Sequence, residues 1–261
     1  MMKTTFRKRK NGLPIILVML FSIFCTPAFS EITANPKNNF CFKPGEKLSY
    51  KLCWGLIPAG FAELSVEPPK ELDGETALHF LLTIRTNSFM DHIYKVRDRI
   101  ESFTDLELDN SLLYIKNQHE GKTIRNISVN FDLENHTATH INSWEKREPI
   151  PISEKTLDPL ASLFYVRNQP LSEGLEITRP VTDGKKNVLG VARVIKREKI
   201  QVGDIEYDTF VVEPDLKDVR GVFEKSDKSK LTLWISADDR RQVVKIKSKV
   251  VVGSFTGTLI N

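Results

Sequence analysis

Apolar and polar residues alternate along most of this chain, and this period of two constrains the fold more than any other feature. The alternation first appears between Glu46 and Trp54 and returns at Leu78–Ile84, Arg125–Leu133 and Tyr207–Val212, with turn residues between the runs. Strands that alternate in this way bury one face and expose the other. The sequence therefore predicts a mainly β protein, built as a single large curved antiparallel sheet or an incomplete β-barrel.

One segment, LDPLASLFYVRNQP at Leu157–Pro170, breaks the alternation. Asp158 is a preferred N-cap residue, Pro159 is tolerated in the first turn, and Pro170 ends the helical pattern. We predict one short helix at about 158–168, with an apolar stripe that packs on the concave face of the sheet because so short a helix is marginal alone. The helix either completes a solid core, which is the commoner arrangement, or covers a cavity that holds an apolar ligand.

Residues 1–30 have the pattern of an export signal. Basic residues precede an apolar run from Leu13 to Cys25, and Ala28-Phe29-Ser30 has small residues at its first and third positions. This pattern predicts cleavage near Ser30, a periplasmic location and no retained transmembrane segment. Lipidation at Cys25 and a retained anchor are the weaker alternatives. No linker divides residues 31–261, for which we predict a single antiparallel β domain.

The charge of the chain argues against nucleic acid as a partner. The formal net charge of +4 becomes −1 without residues 1–30, because these carry five basic and no acidic residues. Nucleic-acid-binding domains usually carry a strong basic excess. The remaining charges are scattered over strand faces, which is typical of a solvated surface.

Two cysteines, Cys41 and Cys53, remain after the predicted cleavage. An oxidising compartment permits a disulfide between them. The bridge requires a chain reversal near Pro44-Gly45, because one extended strand would hold the two residues roughly 40 Å apart. Two buried free thiols are the equally weighted alternative.

No catalytic or metal-binding motif stands out in the sequence. There is no nucleophile elbow, no Cys–His arrangement and no HExxH zinc motif. His136 and His140 lie in a predicted strand, where that spacing spans ~13 Å, too far for shared coordination. We therefore predict no catalytic residues, no metal and no cofactor, although two carboxylates from distant strands could still form a hydrolase site.

Aromatic and apolar residues recur along the strands and the predicted helix. Most large apolar side chains pack in a core. As a group, however, they could line a pocket in a curved sheet. Our predicted ligand-lining residues are Trp54, Phe61, Leu163, Phe164 and Trp234, with Tyr165 and Arg167 as headgroup partners.

Several stretches together resemble the DUF3108 family of exported bacterial proteins of unknown function. They are Phe42–Tyr50, Ala59–Leu64, Leu157–Arg167, Tyr207–Pro214, Leu233–Arg241 and Gly253-Ser254. The likeness covers nearly all of the chain beyond residue 30 and implies an exported, β-rich protein, but no reaction. Such a sheet is also similar in architecture to LolA/LolB-like periplasmic half-barrels, which carry lipids or lipoproteins; this is a likeness of fold only.

These observations lead to three expectations for function. The first is an exported, non-enzymatic periplasmic protein that binds or carries an amphipathic or lipidic cell-envelope molecule in a curved β-sheet cavity. The second is an envelope scaffold with a solid core and a protein partner. The third is a hydrolase acting on envelope polysaccharide.

Overall fold

The computed structural model describes residues 39–215, 230–249 and 254–260. These residues form fourteen strands in one antiparallel sheet and two short helices, as the alternation predicts. The predicted export signal lies outside the described residues. The strands of the first half are β1 Lys47–Trp54, β2 Ile57–Leu72, β3 Glu75–Thr86, β4 Val96–Thr104, β5 Ser111–Glu120, β6 Thr123–Asp132, β7 Thr137–Asn142 and β8 Ile150–Pro151. Those of the second half are β9 Glu176–Thr182, β10 Asn187–Val202, β11 Ile205–Asp215, β12 Lys230–Ser236, β13 Val243–Lys249 and β14 Ser254–Ile260.

The sheet is an up-and-down meander that is joined through its first and last strands. Neighbouring strands are consecutive in the chain except at one place, where β1 pairs with β14 and Tyr50 lies opposite Leu259. The two edges are therefore β8 and β9, which are consecutive in the chain. The sheet does not close, and its break lies in the middle of the sequence.

The segment between β8 and β9 contains the predicted helix, α2 Pro159–Arg167. Just before α2, Leu157 pairs with the edge of β9: its N–H donates to the carbonyl of Pro180 at 2.9 Å, and its carbonyl accepts from the N–H of Thr182 at 3.0 Å. On the other side, the N–H of Ser111 in β5 donates to the carbonyl of Thr156 at 3.0 Å. The chain thus bridges the break in the sheet and satisfies backbone groups of both halves.

The helix begins and ends where local signals placed it, one residue inside each end of the predicted range. Asp158 is its N-cap, and the N–H of Asn168 donates to the carbonyl of Phe164 at the C-terminal end. A second helix, α1 Ser88–Asp91, was not predicted. It is a single turn between β3 and β4, capped by the side chain of Asn87.

Two hydrophobic clusters lie on either side of α2, and the helix contributes to both. Leu160, Ala161 and Phe164 are buried in a cluster formed mainly with β1–β7. Leu163 and Val166 pack against the cluster formed with β9–β13. The helix therefore carries apolar contacts on more than the single stripe that the sequence suggested, because it has sheet on two sides.

Candidate functional site

A cavity of about 210 Å³ lies between α2 and the sheet. Strands β1–β5 and β9–β13 and the helix all contribute to its wall. The wall is mainly aliphatic and includes Leu52, Leu64, Leu82, Ile100, Val181 and Leu233. Arg179 and Asp215 are the only charged residues among those lining it. The interior between helix and sheet is thus not fully packed.

Asp158 fixes the N-terminal end of α2, which forms one wall of the cavity. Its Oδ1 accepts from the N–H groups of Leu160 at 2.8 Å and Ala161 at 3.0 Å, as an N-cap does. Its Oδ2 accepts from the hydroxyls of Ser102 on β4 at 2.6 Å and Ser111 on β5 at 2.7 Å. The carboxyl is fully buried, and burial raises its pKa above the ordinary value. One side chain thus joins the helix to two strands.

Arg167 fixes the opposite end of α2. Its guanidinium lies 2.7 Å from a carboxylate oxygen of Glu46, and its Nε donates to the carbonyl of Arg241 at 2.9 Å. It also stacks over the rings of Phe42 and Phe164, 5.6 and 5.1 Å from their centroids. The side chain is 0% exposed and does not line the cavity. The prediction of Arg167 as a headgroup partner was therefore wrong: this cation is used to hold the helix.

Two of the predicted lining residues, Leu163 and Tyr165, do line the cavity. Phe164 does not, because its ring faces the core and stacks on Phe80 with centroids 3.9 Å apart. The helix turn therefore directs neighbouring residues to different environments: Phe164 enters the solid cluster, while Leu163 and Tyr165 face the open space.

Trp54, Phe61 and Trp234 also lie outside the lining, which corrects their predicted role. Trp54 stacks with Phe255 at one end of its strand, and Phe61 is exposed. The indole N–H of Trp234 donates to Glu198 at 2.8 Å. Strand alternation explains why Phe61 and Trp234 lie outside the cavity. Their neighbours Ala62 and Leu233 face it, and residues one position apart on a strand point to opposite faces.

Tyr114, which the sequence reasoning missed, places a buried polar group in the cavity wall. Its ring is 2% exposed, and its hydroxyl has no hydrogen-bond partner among the described residues. Burial, followed by the charges of Asp158 and Asp183, raises its pKa well above the ordinary value, so the hydroxyl stays protonated. A buried hydroxyl without a partner costs about 1–3 kcal/mol.

Arg179 is the second missed residue. It projects from β9 beside Tyr165, with its guanidinium 4.4 Å from the ring centroid, and Nη2 donates to a carboxylate oxygen of Asp109 at 2.7 Å. Its Nε has no partner within the described part of the chain. A signal was available in the sequence, because Arg179 alternates with Ile177 and Val181 on the apolar side of its strand.

Cys41 and Cys53 are free thiols in the structure, so the disulfide alternative is not realised. Cys41 lies beside the C-terminal end of α2, where its thiol donates to the carbonyl of Arg167 at 3.4 Å. Cys53 is held in β1, opposite Thr256 of β14. The chain reverses before β1, but the two residues belong to different neighbourhoods.

The described residues contain no group of three or more His, Cys, Asp or Glu side chains arranged to hold a metal ion. His136 lies in a turn with positive φ, and His140 is buried in β7. Among the same residues, neither helix has the length and apolar composition needed to cross a bilayer. The cavity thus combines a mainly aliphatic wall with two charged side chains, Arg179 and Asp215.

Comparison with known proteins agrees with this architecture. The chain is similar to a crystal structure of a beta-barrel-like protein of the domain of unknown function DUF1849 from Brucella abortus, with 10% identity and a TM-score of 0.54. That alignment covers 82% of this chain and 95% of the Brucella protein, and at this identity it shows the fold alone. No protein with a curated description matches the sequence. The DUF3108 profile, described as a protein of unknown function, matches residues 49–260, and the chain therefore belongs to this family.

Proposed function

We propose that this protein binds a small apolar or amphipathic molecule in the cavity beside α2, without catalysing a reaction on it. The observation that supports this proposal is a mainly aliphatic cavity of about 210 Å³ between α2 and the sheet. Close packing is the rule inside proteins, and voids larger than a water molecule are few. A bound molecule would restore the missing contacts of the wall.

The size and chemistry of the wall suggest the class of ligand. A cavity of ~150 Å³ lined by aliphatic and aromatic residues is enough to hold benzene. The cavity beside α2 is larger, at about 210 Å³, and so has room for a ring or a short acyl segment. The two charged residues of the wall, Arg179 and Asp215, would orient a polar group of the ligand, and an anionic group would favour the side of Arg179.

The proposed location is the periplasm, on the basis of the export pattern in residues 1–30. The ligand would then be a component of the cell envelope, such as a lipid or a fragment of one. Cell fractionation tests the location separately from binding. Native mass spectrometry of protein purified from its own cells would show whether a molecule of this class accompanies it.

A cavity-filling substitution tests the binding site. In Leu163→Trp the indole takes space in the cavity, so a fluorescent naphthylamine probe or a medium-chain fatty acid should bind at least ~10-fold more weakly than to the wild type. Leu189→Trp is the matched control, because Leu189 is exposed on β10 and lies outside the lining. Equal affinities for the wild type and Leu163→Trp, with both proteins folded by circular dichroism, would refute the proposal.

Removal of the Tyr114 hydroxyl tests whether this enclosed polar group is unpaired in the free protein. Tyr114→Phe should leave the binding of an apolar probe unchanged, because the hydroxyl oxygen is not accessible from the cavity. The free protein should be as stable as the wild type or more so, because an unpaired buried hydroxyl is removed. A large loss of stability would mean that the hydroxyl has a partner in the free protein, which contradicts the assignment.

A further inference from the structure

Exposed apolar side chains collect at one end of the first half of the sheet. Because neighbouring strands are antiparallel, the connections β1–β2, β3–β4 and β5–β6 and the segment after β7 all lie at the same end. We call the apolar side chains of this end the apolar rim; it consists of Leu56, Phe89, Ile93, Tyr94, Ile124 and Trp144. Leu56 and Trp144 are 99% and 93% exposed. An apolar group of this extent on a protein surface is typical of an interaction site.

Contacts join three of the four connections of the rim. The side chain of Asn87 donates to the carbonyl of Pro58 at 2.7 Å, which joins the β3–β4 connection to the start of β2. The N–H of Gly121 donates to the carbonyl of Lys95 at 2.7 Å. The ring of Tyr94 lies against Gly121 so closely that a Cβ there would come within 2.8 Å of it. These contacts hold the tips of three connections in a fixed relation to one another.

The opposite end of the same strands has a different character. Its connections, β2–β3, β4–β5 and β6–β7, present one large exposed apolar side chain, Leu133. Their charged residues are all acidic: Asp73, Asp105, Glu107, Asp109 and Glu134. The apolar character of the rim is therefore specific to one end and is not a general property of the turns.

Basic residues accompany the apolar rim. They lie in its connections and in the adjoining strand ends: Arg85, Lys95, Arg97, Lys122, Arg125, Lys146 and Arg147. The carboxylates at this end are Asp91, Asp98, Glu120, Glu145 and Glu148. Asp91 pairs with Arg97 and Glu145 with Arg147, and basic residues remain in excess over carboxylates. Aromatic side chains beside lysine and arginine are typical of surfaces that enter the interfacial region of an anionic membrane.

We propose that the apolar rim docks the protein on the surface of a lipid bilayer that contains anionic headgroups. Leu56, Phe89 and Trp144 enter the interface, while the neighbouring lysines and arginines contact the headgroups. The acidic connections at the opposite end are repelled by the same surface, which sets the orientation of the protein. This inference does not rest on the cavity or on any ligand in it.

The fluorescence of Trp144 tests the docking directly. The full chain carrying Trp54→Phe and Trp234→Phe keeps Trp144 as its only tryptophan. On vesicles of phosphatidylethanolamine and phosphatidylglycerol its emission should shift to the blue and be quenched by spin-labelled lipid. Vesicles of phosphatidylcholine alone should give a weaker effect. No shift and no quenching on the anionic vesicles would overturn the proposal.

A triple substitution in the otherwise wild-type full chain tests the role of the rim in affinity. Leu56→Ser, Phe89→Ser and Trp144→Ser together should weaken partitioning to the anionic vesicles roughly 100-fold, if about half of each side chain's apolar area is buried on docking. Leu133→Ser, Ile195→Ser and Ile205→Ser form the matched control, since these residues are exposed and lie outside the rim. Every variant retains residues 1–30, so any contribution of that segment to vesicle partitioning is the same in all of them.

The outcomes separate a membrane from a protein partner. A loss of partitioning in the rim variant but not in the control variant supports docking on lipid. Equal partitioning of the two variants overturns it. A wild type that forms dimers and does not bind vesicles, together with a monomeric rim variant, also overturns it and assigns the rim to contact between copies of the chain.

Discussion

Asp158→Ala removes the single side chain that joins the N-terminal end of α2 to β4 and β5. The carboxylate accepts four hydrogen bonds, two from backbone N–H groups of the helix and two from the hydroxyls of Ser102 and Ser111. Alanine keeps none of them. The two serine hydroxyls are buried, so no bulk water replaces the lost acceptor.

The expected cost follows from these contacts. Loss of an N-cap costs about 1 kcal/mol, and a buried hydroxyl left without its partner costs about 1–3 kcal/mol. Burial raises the pKa of Asp158, because burying its charged form is unfavourable. Alanine removes this desolvation penalty, which offsets part of the lost stability. We therefore expect a net loss of about 3 kcal/mol in the free energy of unfolding.

Asp158→Asn should cost less, about 1 kcal/mol, because the amide oxygen still caps the helix and the serine hydroxyls can rotate to accept from the amide group. It should also change the pH dependence of stability. Since the folded pKa lies above the ordinary 3.8, the wild type loses stability as the pH rises from 3.8 through the folded pKa. Asparagine does not titrate, so the variant lacks this slope.

Urea unfolding followed by circular dichroism measures each free energy. Asp132→Ala is the matched control: Asp132 also accepts two hydrogen bonds, from Asn135, but in an exposed turn. It should cost less than about 1 kcal/mol, because water replaces the lost acceptor. A loss below about 1 kcal/mol for Asp158→Ala as well would refute the reasoning that this buried carboxylate anchors the helix.

Three further predictions concern buried charges and thiols. Glu46→Gln leaves the fully buried guanidinium of Arg167 without its counter-ion and should cost about 3 kcal/mol, measured by the same urea unfolding; an unchanged midpoint would contradict the structural role of the pair. Burial lowers the pKa of His140, so the wild type should lose stability as the pH falls below 6.5. His140→Leu should reduce that loss, and identical pH profiles would contradict the assignment. Because Cys41 and Cys53 are free, both should be alkylated by iodoacetamide in denaturant without reductant; mass spectrometry that finds them blocked would restore the disulfide alternative.

Local signals predicted α2 well. Asp158, Pro159 and Pro170 define the ends of a helix through backbone chemistry that involves only near neighbours. The strand faces were predictable for a similar reason, because the side chains of one strand alternate whatever its partner is. Alternation predicted buried Leu48 and Tyr50 on the same face of β1, as the structure has them.

The positions of the functional candidates could not be predicted in the same way. The sequence shows Arg167 only as a basic residue in a predicted helix. Tertiary packing places Glu46, which is distant in the sequence, beside it. The hydroxyl of Tyr114 is enclosed by tertiary packing without a hydrogen-bond partner among the described residues. Such properties depend on contacts between distant segments, and no short window of the sequence contains them.

The pairing of β1 with β14 affects how this protein folds during its synthesis. The partner of Tyr50 is Leu259, so one edge of β1 can pair only after β14, far along the chain, has been synthesised. Pairings across such long sequence separations slow folding, and an unsatisfied strand edge invites association with other chains. A chain stopped short of Ser254 would lack β14, leaving β1 and β13 without the neighbour that joins the two halves of the sheet.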